Sequence, residues 1–232
     1  MLPDLNSVDR QLFLNLEVRP ALDREAFFVS NSNQRALQFI EGWRDWPERR
    51  LCLTGDAGNG KTHLAHVWTA LAAPVHVCSM KELTPEFISK IDGSEHVLID
   101  DVEQTEDETS LLHLMNRLAG GGGHLLFVSR KNPSSWSIEL ADLRSRLTAM
   151  TVVPLTAPDD DLLTAMFQKQ FQDRQISVSD IVISYLIKRV ERTGLAVGKM
   201  VAILDAMSLA RKKPITQSMA TEALDKEEQG GG

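Results

Sequence analysis

One octapeptide constrains this chain of 232 residues more than anything else in it. Gly55-Asp56-Ala57-Gly58-Asn59-Gly60-Lys61-Thr62 satisfies G-x-x-x-x-G-K-[ST] at every fixed position. Glycines there let the backbone wrap close to phosphate oxygens, so that amide hydrogens and a helix N-terminus face negative charge. A lysine in the seventh place reaches the β and γ phosphates, and a hydroxyl in the eighth completes a magnesium shell. The pattern demands a strand before it and a helix after it, and the flanks comply. RRLCLTG, Arg49 to Gly55, is a short apolar run stopped by glycine, and KTHLAHVWTALAA reads as a helix from about Lys61.

The rest of the chain repeats that alternation. Asn31 or Ser32 is positioned to cap a helix carrying Ala36, Leu37, Phe39 and Ile40. PVHVCSM, HVLIDD, LLFVS and TVVPL read as four further strands. Helices are predicted over 85–91, from about Glu106 to Leu118, and through IELADLRSRL. Gly120 to Gly123 precede a strand, so they are expected to form a turn and not a second phosphate loop. Alternating strands and helices imply a five-stranded parallel sheet covered on both faces. After Pro158 only helices remain: DLLTAMFQKQFQDR, DIVISYLIKRV, VGKMVAILDAMSLARKK and a short one after Thr216. The expected division is a tail over 1–20, an α/β nucleotide domain over 21–157, a small all-helical lid over 158–228 and a disordered or cloning-derived end over 229–232.

His-Val-Leu-Ile-Asp100-Asp101 closes the strand expected to lie alongside the one that feeds the phosphate loop. A carboxylate at the end of a buried strand is costly unless a cation or hydrogen bonds meet it. Asp100 therefore becomes a magnesium ligand acting through water, together with Thr62, and Asp101 a carboxylate able to orient an attacking water. Asp56, Ala57, Asn59 and His63 complete the residues expected against ADP or ATP. His63 and His66 lack the neighbouring carboxylate or cysteine that a metal set needs. Trp43, Trp46 and Trp68 read as core or lid contacts.

Composition removes some alternatives. The net charge of -7 and pI near 5.4 disfavour a domain that grips duplex DNA by itself. Arg211-Lys212-Lys213 reads as charge at a helix C-terminus. No apolar run is long enough for a bilayer, and the first residues lack the plan of a secretory signal. Cys52 and Cys78 sit in apolar strands and are expected as buried free thiols of a cytoplasmic protein.

Taken together, phosphate loop, Asp-Asp box, the Ser145-Arg146-Leu147 triplet and helical end resemble the AAA+ domain of the bacterial initiator DnaA. The resemblance runs over about residues 25–227. It implies that Arg146, just before the last strand, reaches into a neighbour's nucleotide, while Arg144, two positions away on another helical face, is a surface charge. It implies that FVSNSNQRA holds the adenine, through Phe28, Val29 and Asn33. Ahead of the domain, Gln11-Leu12-Phe13-Leu14-Asn15-Leu16 reads Q-L-x-L-x-L, similar to the peptide that bacterial proteins insert into the sliding clamp, the beta subunit of DNA polymerase. A DnaA-like domain carrying that tail resembles the Hda family, whose members, bound to ADP and tethered to the clamp, stimulate ATP hydrolysis by DnaA. Partners implied are the clamp and DnaA, with DNA met only through the clamp, no membrane, and a homodimer or homo-oligomer left open.

Two positions depart from that family. An acidic sensor is expected after the fourth strand, where this chain has Ser129-Arg130. A sensor arginine is expected opening the third lid helix, where Gly198-Lys199 aligns, with Arg192 as the alternative. Intrinsic ATP hydrolysis is therefore expected to be weak or absent. The rival readings are a free-standing AAA+ ATPase such as a helicase loader or remodelling factor, which needs intact sensors, and a DNA-binding DnaA-like initiator fragment, which needs a basic surface.

Overall fold

In the computed structural model, residues 28–102 and 107–230 are described. The strands β1 (Arg50–Thr54), β2 (Val75–Cys78), β3 (His96–Ile99), β4 (Leu125–Ser129) and β5 (Thr151–Pro154) form one parallel sheet in the order β2-β3-β4-β1-β5. Side chains of successive strand residues point to opposite faces, so a sheet covered on both sides needs nearly continuous apolar strands. That is what RLCLT and LLFVS provide. Leu51, Leu53, Leu126 and Val128 enter one core with α1 (Gln34–Glu41) and α2 (Lys61–Ala72). Cys52, Leu125 and Phe127 enter the other with α3 (Pro85–Lys90), α4 (Glu108–Gly121) and α5 (Ala141–Thr148). Both cysteines are buried free thiols, and burial pushes each up to about 12.

From Asp160 onward the chain is helical: α6 (Asp160–Asp173), α7 (Asp180–Leu186), α8 (Gly194–Arg211) and α9 (Gln217–Gly230). These helices pack around their own apolar centre, with Leu163, Phe167, Val197, Met200, Leu204 and Ala220 fully buried. None of the described helices is long and apolar enough to cross a membrane.

Several sequence expectations need correction. The strand bearing Asp100 does not lie beside β1, because β4 is inserted between them. All five residues of β4 are buried, the environment of a central strand. The first helix begins after Asn33, whose side chain makes no capping bond to it, and not after Asn31 or Ser32; the hydroxyls of Ser30 and Ser32 meet at 2.7 Å. α4 runs into the glycine cluster, because a Cβ on Gly121 would meet the Gly93 backbone and only a bare backbone passes there. Left-handed Gly122 then stops the helix. α5 starts three residues later than its apolar pattern suggests. The carboxylate of Glu108 accepts the amides of Glu139 (2.8 Å) and Leu140 (2.7 Å) and keeps that segment out of the helix. α9 extends to Gly230, into the end read as irregular.

Trp43, Trp46 and Trp68 are core residues, and they enclose two histidines. His124, 6% exposed, stands edge-on to His96 at 5.0 Å and to Trp43 at 4.8 Å. The amide of His124 donates to His96 Nδ1 at 3.1 Å, which fixes that ring as a neutral acceptor. Burial pushes the His124 imidazole down from 6.5 to about 4, with His96 and Arg49 adding to it, and burial also lowers His96. The unfolded chain therefore takes up these protons first. The stability they represent is complete above pH 6.5 and lost as pH falls toward 4, by about 3 kcal/mol for His124 alone. Urea midpoints measured from pH 7.5 to 4.5 should fall most steeply below 6.5, and His124→Leu should flatten that slope. A variant with the wild-type slope would assign the acid sensitivity to other groups.

Candidate functional site

Residues 55–60 bridge β1 and α2 as the motif requires, and two other parts of the fold hold the loop in shape. Gly55 has φ +146°, and a Cβ there would run into the carbonyl of Leu155, just past β5. Asn59, buried at 7%, donates its Nδ2 to the same carbonyl at 3.2 Å, while the amide of Leu155 donates to Thr54 at 2.7 Å. Gly58, φ +80°, lies so close to Thr193 that a Cβ would stand 2.7 Å from the threonine Cβ. The Gly194 amide donates to the Gly58 carbonyl at 3.1 Å. The helical part thus reaches the loop through the first turn of α8.

The amide of Leu64 donates to the Gly60 carbonyl at 3.0 Å and opens the hydrogen-bond ladder of α2. Amides ahead of it are free of helical partners and face whatever sits at the helix end. Lys61 is 8% exposed and donates Nζ to the carbonyls of Gly55 (2.7 Å) and Asp56 (2.8 Å), leaving one of three ammonium hydrogens for a ligand. Burial, and next the Arg130 guanidinium, hold this ammonium below its ordinary value, against Asp100, Asp56 and Asp101. A lysine kept in place by backbone carbonyls beside a row of turned amides is the chemistry of a phosphate cradle, and the donor set fits a polyphosphate.

The acidic pair reaches the same place from β3. Thr62 Oγ1 donates to Asp100 Oδ2 at 3.3 Å across the position where β4 intervenes. Asp100 Oδ1 accepts the Asp101 amide at 2.8 Å, and Asp101 adopts a left-handed backbone, φ 54°, that aspartate tolerates better than most residues. A hydroxyl and a carboxylate at that separation would suit magnesium, Thr62 toward the ion and Asp100 toward its water. His63 follows in the first turn of α2, half-buried.

Phe28 and Val29, both exposed, line a cleft of about 550 Å³ together with Gln34 and, from α6, Asp161, Thr164 and Gln168. Asn33 does not line it. Its Oδ1 accepts the Ser30 amide and its Nδ2 donates to the Phe28 carbonyl, each at 2.9 Å, so Asn33 shapes the segment on which Phe28 sits. Lys199 is exposed on α8 and the loop is instead met by Thr193 and Gly194, because that helix starts at Gly194, three residues earlier than expected. Arg192 donates to the Pro158 carbonyl (2.8 Å) and to Asp160 (2.6 Å), tying the starts of α6 and α8 together. Sequence reading missed Thr193: a threonine there is the ordinary signal of a helix cap, and its hydroxyl accepts the Ala196 amide at 3.1 Å, but its contact with Gly58 belongs to tertiary structure.

The two arginines of α5 do different work. Arg146 forms a two-pronged pair with Asp142, at 3.0 and 3.1 Å, on the surface of its helix. Arg144 is not an ordinary surface charge: it donates to the carbonyls of Ile138 and Glu139 and holds the extended segment against α5. Residues 11–16, read as the clamp-binding peptide, lie outside the described residues.

Comparison with known proteins agrees with this architecture. A family profile described as RNA helicase matches residues 51–121. An uncharacterized protein of Haemophilus influenzae is 28% identical over 176 residues, which are 70% of this chain and 75% of that one. Domain III of the Thermotoga maritima replication initiation protein DnaA superposes with a TM-score of 0.75 at 20% identity, over 90% of this chain and 97% of that one. DnaA of Aquifex aeolicus bound to AMPPCP gives 0.70 at 16% identity, over 93% and 71%. The Thermotoga maritima RuvB Holliday junction branch migration motor gives 0.68 at 16%, over 89% and 72%. The fold is the one seen in domain III of DnaA, a five-stranded parallel sheet followed by helices.

Proposed function

We propose that this chain is a nucleotide-holding regulator of replication initiation, which binds ADP in its phosphate loop and acts on the ATP of DnaA. The observation that carries the reading is the division of labour between two sites on a DnaA-type fold. The loop, Lys61, Thr62 and Asp100 are assembled for a nucleotide, whereas Arg146 sits on the outside of α5, bonded to Asp142 along its own helix. An arginine so placed suits a neighbour's phosphate better than its own. In this reading Phe28 and Val29 receive the base, the amides before Leu64 take the phosphates, and Thr62 with Asp100 holds magnesium. Bound magnesium would offset charge between the terminal phosphates. Arg130, standing where an acidic sensor is expected, is consistent with slow intrinsic turnover. Residues 11–16 would tether the chain to the sliding clamp, and DNA would be met through the clamp.

The tether is tested with the clamp itself. Three apolar side chains entering a groove gain roughly 5–9 kcal/mol. Ordering an extended segment takes much of that back, so micromolar affinity is expected. Gln11→Ala combined with Leu12→Ala should remove capture by immobilised clamp while ADP binding and melting temperature stay as in the wild type. Clamp binding that survives the pair would remove the tether from the reading. Rapid phosphate release by this chain alone, lost in Asp101→Asn, would favour a free-standing ATPase, for which the near contact of Thr62 with Asp100 also speaks.

A further inference from the structure

The backbone of one residue, Ser32, ties the segment bearing Phe28 to the start of the helical part. The Ser32 amide donates to Asp159 Oδ2 at 3.2 Å, and the Ser32 carbonyl accepts from Thr156 Oγ1 at 3.3 Å. Both partners lie in the linker between β5 and α6, 127 and 124 residues further along the chain. The other oxygen of the same carboxylate, Asp159 Oδ1, accepts the Leu162 amide at 2.9 Å and caps α6. From Ser32 the fastening runs back to Phe28. The hydroxyls of Ser30 and Ser32 meet, Asn33 Oδ1 accepts the Ser30 amide, and Asn33 Nδ2 donates to the Phe28 carbonyl. Phe28 and Val29 stand on one side of the 550 Å³ cleft, and Asp161, Thr164 and Gln168 of α6 on the other. One carboxylate therefore sets both walls. Capping α6 alone would ask for a single acceptor, which serine supplies as well as aspartate does.

We propose that Asp159 is a positioning residue of the nucleotide site: holding Ser32 with one oxygen and α6 with the other, it fixes the width of the cleft so that the base of a nucleoside diphosphate contributes to binding. This rests on the reading of Phe28 and Val29 as the base contact, and adds what keeps them at a set distance from α6. Asp159 does not line the cleft and acts through Ser32. A carboxylate suits the task because it only accepts, and its two oxygens take two amides at once. Such charge-assisted bonds are stronger than those between neutral groups. Without the tie, residues 28–33 would have to be ordered when the base arrives, at a cost in affinity. The phosphate loop has ties of its own, through the Leu155 carbonyl and the Gly194 amide, so loss of the Ser32 tie falls on the base and spares the phosphates.

The test is calorimetric titration of the full chain in magnesium, with ADP and separately with inorganic pyrophosphate, for wild type, Asp159→Ser, Asp159→Ala and Thr156→Val. The wild type should prefer ADP by about a hundredfold, within the range of a stacked base. Asp159→Ser keeps a cap for α6 but has no second oxygen for Ser32, so it should weaken ADP about tenfold and leave pyrophosphate affinity unchanged. Thr156→Val frees only the Ser32 carbonyl and should weaken ADP about threefold, again sparing pyrophosphate. Asp159→Ala loses the cap too, and should melt below Asp159→Ser while discriminating between the two ligands no worse. Asp159→Ser with the wild-type preference for ADP overturns the proposal. So does a variant that loses both ligands equally, since that is general loosening of the fold. A wild type that binds pyrophosphate as tightly as ADP would instead overturn the base contact beneath the proposal.

Discussion

Under the function proposed above, Arg146→Ala is expected to leave ADP and clamp binding intact and to abolish nearly all stimulation of DnaA's ATP hydrolysis. An arginine lent to a transferring phosphoryl group is worth roughly 10³–10⁵ in rate, or about 4–7 kcal/mol. It acts because a fixed guanidinium meets charge that develops only in the transition state, in a site with little water. In the free chain that guanidinium is engaged with Asp142, and the pair must open before Arg146 can serve another protein. An exposed pair four residues apart on a helix is worth only about 0.3–0.5 kcal/mol, so opening it costs little against the gain. Asp142→Asn should accordingly stimulate at least as well as the wild type. Lysine at 146 should not rescue, lacking the fork. Arg144→Ala makes a poor control, because its side chain ties down the Ile138 and Glu139 carbonyls and its loss disturbs α5 itself. The assay is ADP formed on DnaA with clamp and DNA present, and Arg146→Ala performing as the wild type would place the trans-acting arginine elsewhere.

Lys61→Ala should take ADP binding out of the micromolar range. A charge-assisted hydrogen bond contributes roughly 1.5–3 kcal/mol, a factor of about 10 to 150 in Kd. The alanine loses more than that one bond. Lys61 Nζ also spans the carbonyls of Gly55 and Asp56, so its removal loosens the turn that presents the amides. Lys61→Met keeps the apolar stem but neither charge nor carbonyl bonds, and should be as poor a binder as the alanine variant. Titration calorimetry decides it: either variant holding ADP as tightly as the wild type would mean that the cradle is not where the phosphates sit. The tail variants of Gln11 and Leu12 provide the opposite comparison, with binding of nucleotide retained.

What could be read from residues alone was local. β1 and the phosphate loop were legible because an apolar run ending at Gly55 and a fixed-position motif depend on no distant contact. The helical end was legible for the same reason, its apolar periodicity changing after Pro158. Strand order was not legible, because nothing in HVLI or LLFVS tells which lies beside RLCLT until packing makes β4 the central strand. The late start of α5 was hidden because Glu108, far off in sequence, takes the amides of Glu139 and Leu140. Within the site, Lys61, Thr62 and Asp100 could be named from spacing. Leu155, Thr193 and Gly194 could not, since their part is to close the loop from elements far along the chain, 96 residues away for Leu155 and Asn59.

The tryptophans and the tyrosine are divided between the sheet and the C-terminal helices in a way that makes the molecule its own reporter. All four tryptophans, Trp43, Trp46, Trp68 and Trp136, are packed against the sheet, and the single tyrosine, Tyr185, is on α7, where its hydroxyl meets Thr221 at 2.9 Å. Tryptophan emission therefore follows the unfolding of the sheet and tyrosine emission that of the helices, with no label attached. Denaturation curves from the two signals that coincide would describe one cooperative unit. Curves that separate would give each half its own stability, and adding ADP would reveal whether occupancy of the loop, touched by Thr193 and Gly194, draws the two transitions together.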